Sequence, residues 1–155
     1  MADNKTNTLE SWMMNLILRN EDTGATPAYI GDDGLHGSAA AESLYISLHT
    51  GDPGETGTQV TSEAAYTSYA RVAVARSSAG WTQSTAGSQV SNVAAIVFPA
   101  CTGGGPESVT HFGVGTDASG TGALLYYGTL SGGGLTVDNG ITPQFAIGAL
   151  TIQEQ

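Results

Sequence analysis

Three histidines, one cysteine and a few acidic pairs are the residues of this chain whose types could do chemistry, and their spacing decides how much. His36 lies in a glycine-rich stretch, His49 ends one alternating apolar run and His111 sits inside another. No two of them stand at the helical spacing that aims imidazoles at one zinc ion. Only a sheet that lays His49 beside His111 would leave a weak site open. Cys101 has no second cysteine to bridge. Near Pro99 it reads as a small buried hydrophobe, and pairing it with His111 gives no helix N-terminus to hold a thiolate. No serine stands in a Gly-x-Ser-x-Gly elbow. Asp52 with Glu55, and Asp32 with Asp33, have the pairing of a glycosidase, but both lie in glycine-rich turns, where such residues form solvated turns. Asp32-Asp33-Gly34 lacks the alternating oxygen ligands of a calcium loop. The glycine clusters at 103–105 and 132–134 precede neither a helix nor a Lys-Ser or Lys-Thr pair, so they cradle no phosphate. The expectation is a chain with no catalytic residue, no cofactor and no metal.

The elements that carry these residues are mostly short strands. Leu9, Trp12, Met13, Leu16 and Ile17 recur at helical spacing and predict an amphipathic helix over 8–19, with Asn7 as its N-cap and Glu10 three places on. Its stripe either packs on the protein's own sheet or docks on a partner. Residues 20–41 hold five glycines or prolines around Asp32 and Asp33 and read as a long loop anchored only by Tyr29, Ile30 and Leu35. From Ser43 the period becomes two. Leu44, Ile46 and Leu48 alternate with Tyr45, Ser47 and His49, which predicts a half-buried strand. Further strands are expected over 69–76, from Trp81, over 90–98, 109–114, 123–130 and 135–137, and a last strand or strand pair over 141–152. Turn chemistry divides them, including Asp52-Pro53-Gly54 and Asp138-Asn139-Gly140. About seven to eight strands with no helix between them predict an all-β jelly roll or β-sandwich. The expected division is an arm, helix and loop over 1–41 and a β domain over 42–155.

Charge and composition narrow the partners. The chain has 155 residues, enough to bury a core without a disulfide or metal. Fourteen acidic against four basic residues give a formal net charge of −10, which repels phosphate backbones and argues against direct nucleic-acid binding. No apolar run approaches the ~20 residues of a membrane span. The stretch around Leu16 to Leu18 lacks the basic start and cleavage site of a signal peptide. With 22 glycines, one lysine and only 12% charged residues, the surface is poor in long, entropically costly side chains, which suits permanent contact with neighbours. Aromatic and apolar side chains are the candidates to make such contact: Trp12, Met13 and Leu16 on the helix, Tyr29, Ile30 and Leu35 in the loop, and Trp81 after its turn, where a core role is equally open.

One order of segments adds to this. The helix is followed by Leu44-Tyr45-Ile46-Ser47-Leu48-His49-Thr50-Gly51-Asp52-Pro53-Gly54. Then come Tyr69-Ala70-Arg71, Val97-Phe98-Pro99-Ala100, Thr110-His111-Phe112-Gly113 and Gly140-Ile141-Thr142-Pro143 through Leu150. Over residues 9 to 152 this resembles a group of small virion proteins of tailed bacteriophages, tail fibre-like, some of them similar to jelly-roll capsid cement (decoration) proteins. The resemblance implies a structural role without chemistry. The leading expectation is a decoration protein on the capsid exterior that binds the major capsid protein, stabilises the head and self-associates as a dimer or trimer. The alternative is a tail or tail-fibre component, with a carbohydrate-binding module behind it. The 20–41 stretch departs from the group and is a candidate arm onto a partner.

Overall fold

A computed structural model describes residues 6–21, 42–84 and 89–153. The chain opens with α1 (Asn7–Met14), which continues as a widened π-helical turn, Asn15–Arg19. Eleven strands follow: β1 (Ser43–His49), β2 (Val72–Ala75), β3 (Trp81–Gln83), β4 (Gln89–Asn92), β5 (Ile96–Val97), β6 (Glu107–Val109), β7 (His111–Gly115), β8 (Leu124–Thr129), β9 (Leu135–Val137), β10 (Gln144–Phe145) and β11 (Thr151–Gln153). They form antiparallel sheets in the orders β2-β1-β7-β8, β11-β4-β3, β10-β5 and β6-β9. The fold class is all-β, fitting a sandwich, with one short N-terminal helix.

The number of strands corrects the expected seven to eight. Two predicted runs divide in two because their halves pair with different partners. The 90–98 run gives β4, paired with β11 and β3, and β5, paired with β10. The 109–114 run breaks at Thr110 into β6 and β7, paired with β9 and β1. The 141–152 run is the strand pair that its sequence left open, β10 and β11. A run of apolar residues states that a segment is buried; it does not state against what.

The described chain clusters into two compact units. Unit 1 takes residues up to Glu42, Ala75–Ala95 and Ala146 onward; unit 2 takes Ser43–Val74 and Ile96–Phe145. In unit 1, α1 approaches β4 and the π-helical turn approaches β3. Met14, Leu18, Trp81, Val90, Leu150 and Ile152 make its buried apolar core. Burying each large side chain contributes roughly 1.5–3 kcal/mol. The cap stands one residue before the expected one. Thr6, with extended backbone, accepts a hydrogen bond from the Leu9 N–H at 3.3 Å, so threonine satisfies one of the free donors of the first turn and Asn7 lies inside the helix. Its most buried face is also rotated from the expected stripe. Met14 and Leu18 are fully buried, while Leu9, Trp12, Met13, Leu16 and Ile17 are each half-buried. Seven apolar residues between Leu9 and Leu18 make a stripe too broad for periodicity to fix its centre.

In unit 2, β1 is the spine of the four-stranded sheet. Leu44, Ile46 and Leu48 are buried as their alternation predicts, but Ser47 and His49 on the opposite face are buried too. A half-buried strand therefore becomes a fully buried one over its last four residues. Aromatic rings also pack in this unit: Tyr69 stacks on Phe98 with centroids 6.4 Å apart, and Phe145 meets Phe98 and Phe112 edge-on. No helix among the described residues is long and apolar enough to cross a membrane.

Candidate functional site

The antiparallel register of β1 and β7 sets His49 directly opposite His111, the juxtaposition the sequence left open. Their ring nitrogens are engaged elsewhere. His49 Nδ1 lies 2.8 Å from the Thr61 carbonyl, which can only accept, so Nδ1 carries the proton. His49 Nε2 then accepts from the Ser47 hydroxyl at 2.8 Å. His111 meets the hydroxyls of Thr110 and Thr129, at 2.9 and 3.4 Å. Among the described residues no group of three or more His, Cys, Asp or Glu side chains is placed to hold a metal ion.

Ser47 and His49 thus have the contact of a nucleophile and its base, with a third group orienting the imidazole. Access decides against that use of the pair. Both side chains are fully buried. Gly113 of β7 lies over them so closely that a Cβ built there would stand 2.6 Å from both His49 Nε2 and Ser47 Oγ. No carbonyl carbon can reach the hydroxyl through that backbone. Burial, ahead of every other influence, holds the His49 ring below the usual imidazole range. The pair is a satisfied polar knot within a strand.

A second buried cluster in unit 2 is built on Arg71, the residue just before β2. Its Nε and Nη2 donate to the two oxygens of Glu63 at 2.6 and 2.8 Å. Nη1 reaches the Asp117 carbonyl and Nη2 the Gly120 carbonyl, each at 2.8 Å. Tyr69 donates its hydroxyl to Glu63 at 3.0 Å and accepts from the Leu48 N–H at 3.0 Å. Gln59, also fully buried, accepts from the Asp117 N–H at 2.9 Å and donates to the Asp117 carbonyl at 3.3 Å. The fork of one guanidinium and the amide of one glutamine hold the 58–71 and 116–122 loops, which lack a ladder long enough to hold themselves. With Glu63 as its first and largest influence, Arg71 is shifted upward and stays charged.

Unit 1 has a neutral counterpart in Asn92, the last residue of β4. Buried, it donates from Nδ2 to the Ala94 and Ala146 carbonyls at 2.7 and 2.8 Å and accepts from the Leu150 N–H at 2.9 Å. Its backbone carbonyl accepts from Gly148 at 2.9 Å. One amide therefore ties the 92–95 loop to the 146–150 loop.

The remaining candidates fall in different places. Trp12, Met13 and Leu16 are half-buried on the helix of unit 1. Trp81 is fully buried in the core of that unit, with its indole N–H unpaired. Tyr29, Ile30 and Leu35 lie outside the described residues, as do Asp32, Asp33 and His36. Cys101 is buried and unbridged, its thiol 3.3 Å from the Gly103 carbonyl. Asp52 accepts from the Gly54 N–H at 2.9 Å, a side-chain turn contact, and both Asp52 and Glu55 are exposed. Sequence reasoning missed the Glu63–Arg71 pair, Gln59 and Asn92. Nothing in a single glutamate, glutamine or asparagine among polar neighbours signals that a fold will pair it with a buried arginine or bury it.

The described surface also exposes apolar side chains. On β8, an end strand of the four-stranded sheet, Leu125 and Tyr127 are exposed at alternate positions. In unit 1, Val93 and Ile147 are exposed. A comparison with protein families matches residues 4–153 to the family described as podophage GP4 fiber I protein gp80. None of the curated proteins matches the chain.

Proposed function

The chain belongs to the podophage GP4 fiber I protein gp80 family, a family of phage virion proteins, and from that premise we propose that it is a structural component of a virion fibre or tail that works by packing against other subunits. The observation that carries this reading is the family match, which spans nearly all of the described fold. It favours the fibre alternative over the decoration of the capsid exterior that led the sequence reading.

The geometry supports a mechanical role. Ser47 and His49, the pair with catalytic form among the described residues, are sealed beneath Gly113. Buried Arg71, Gln59 and Asn92 pin loops, which gives rigid surfaces rather than a yielding cleft. The exposed features are apolar side chains on a chain that is otherwise acidic and poor in lysine. In this reading the protein uses no cofactor, catalyses no reaction and meets other virion subunits, copies of itself included, through such surfaces. Immunogold labelling of intact particles tests it. Label on the fibres or tail is the expected result; label distributed over the capsid would overturn it in favour of decoration.

A further inference from the structure

Asn139 and Gly140 are the chain's single Asn-Gly pair. Both are exposed, and a β carbon built on Gly140 would meet nothing within 4 Å, so water reaches the pair freely. An Asn-Gly pair has a chemistry of its own. Once the glycine amide loses its proton, its nitrogen can attack the side-chain carbonyl carbon of the asparagine, with no β carbon on the glycine to obstruct the approach. Two conditions must be met. The amide must give up its proton, and the peptide unit must rotate until its nitrogen faces the asparagine side chain.

The fold opposes both. Asn139 and Gly140 form the corner of a turn in unit 2, between β9 and β10, closed by the Ile141 N–H donating to the Asp138 carbonyl at 2.9 Å. Gly140 takes φ +86°, which glycine adopts without strain. Its N–H, the group that must lose a proton, donates to the Cys101 carbonyl at 2.8 Å. A hydrogen bond from the neutral amide favours the protonated form. The Cys101 N–H donates in turn to the Ile141 carbonyl at 2.9 Å, so the turn is tied to residue 101 on both sides of the peptide unit that would rotate. Cys101 is itself buried, which fixes the acceptor.

We propose that Asn139 is a deamidation site that the folded chain holds closed, opened when the Gly140 N–H leaves the Cys101 carbonyl. In the open turn a proton passes from the Gly140 nitrogen to solvent base, and that nitrogen bonds to Asn139 Cγ. The Cγ–Nδ2 bond breaks, Nδ2 takes up a proton and leaves as ammonia, and a five-membered succinimide remains. Water then adds to one of its two carbonyls. One opening gives aspartate at 139. The other gives isoaspartate, with one extra carbon in the main chain. Both add a negative charge beside Asp138, and isoaspartate also shifts Gly140 out of register with Cys101. A chain that opens here and reacts is marked permanently. The inference is independent of where the chain sits in a particle.

The test incubates the full chain at mildly alkaline pH, folded in buffer and unfolded in urea, at one temperature. Digestion and mass mapping, with an isoaspartyl methyltransferase assay, read the conversion at residue 139. The unfolded chain is expected to react at least ~10-fold faster, the measure of how seldom the tie opens. Asn139→Gln, which would have to close a larger ring, is expected to remove the signal. Hydrogen exchange of the Gly140 amide in the folded wild type reads the tie directly, and protection is expected. Gly105→Ala presses on the base of the turn, because its methyl would stand 2.7 Å from the Val137 carbonyl oxygen and 3.1 Å from Asp138 Cα. Folded, that variant is expected to react several-fold faster than the wild type. A folded chain that reacts as fast as the unfolded one would overturn the proposal, as would an unfolded chain with no reaction at 139. So would an unprotected Gly140 amide, a signal that survives Asn139→Gln, or a folded Gly105→Ala chain that reacts no faster. If Gly105→Ala does not fold, the wild-type rates and exchange decide.

Discussion

Arg71 in unit 2 and Asn92 in unit 1 each tie down two loops from a buried position, yet one does it with a charge and the other with a neutral amide. The charged fork needs Glu63 to be buried at all, because a guanidinium without its counter-charge is costly in a dry interior. It also brings the phenol of Tyr69 into the same network. The amide of Asn92 needs only backbone partners and carries no titratable group. Unit 2 is therefore brittle to the loss of one partner and sensitive to pH. The Asn92 contacts that tie two loops of unit 1 do not titrate. Arginine alone does not make such a pin: in unit 1, Arg76 reaches Asn20 Oδ1 at 2.6 Å while its buried Nε has no acceptor.

The largest effect expected from breaking this contrast is that of Glu63→Ala. It leaves Arg71 buried and uncompensated and should lower stability by about 3–5 kcal/mol in urea denaturation. Asn92→Ala leaves the Ala94 and Ala146 carbonyls and the Leu150 N–H without partners but strands no charge, and about 2–3 kcal/mol is expected. Equal losses for the two variants would erase the distinction between the pins. Gly113→Ala drives a methyl into His49 and Ser47 and should cost about 1–3 kcal/mol, read in the same experiment. A neutral outcome there would mean that the knot yields to make room.

Two pH effects sharpen the comparison further, and both belong to unit 2. His49 is held below its unfolded value, so the unfolded chain takes up a proton that the folded chain refuses. Its contribution is complete above the unfolded imidazole pKa and is lost as pH falls below that value and through the folded one. His49→Gln should flatten this acid limb of a stability–pH curve. Burial first, and then Cys101 and Glu107, push the Tyr66 phenol up to about 12. Burial likewise raises Tyr69. Their contribution is complete below the unfolded phenol value and is lost as pH rises above it toward the folded one. The part of the tyrosinate absorbance that disappears on Tyr66→Phe and Tyr69→Phe should therefore rise together with unfolding rather than before it. Titration of that part in the still-folded chain would contradict the burial assigned to Tyr66 and Tyr69.

Several features were legible because they depend on neighbours in sequence. The alternation of Leu44, Ile46 and Leu48 fixed which face of β1 is apolar, and the Asp52 turn follows from residue type. The change from helical to two-residue period placed the one helix ahead of the strands. Others depend on which segments meet. Residue type gave the helix a cap three residues before Glu10, but the fold chose Thr6 over Asn7. Trp81 was equally a core or a contact residue until its unit was seen to enclose it. Thr110 looked like the middle of one strand and divides two.

By itself, then, the sequence determined an all-β chain behind a short helix, acidic, with turns where Gly, Pro, Asp and Asn collect. These properties are local: a strand period, a turn propensity or a net charge is set within a few residues or by a simple sum. Only the tertiary structure decided that Ser47 and His49 are sealed, that Glu63 pairs with a buried Arg71, that Asn92 is buried, and that Ile147 is left exposed. Burial and pairing are relations between residues far apart along the chain, 58 positions in the case of Asn92 and Leu150. A polar side chain shows nothing of its value until those partners arrive.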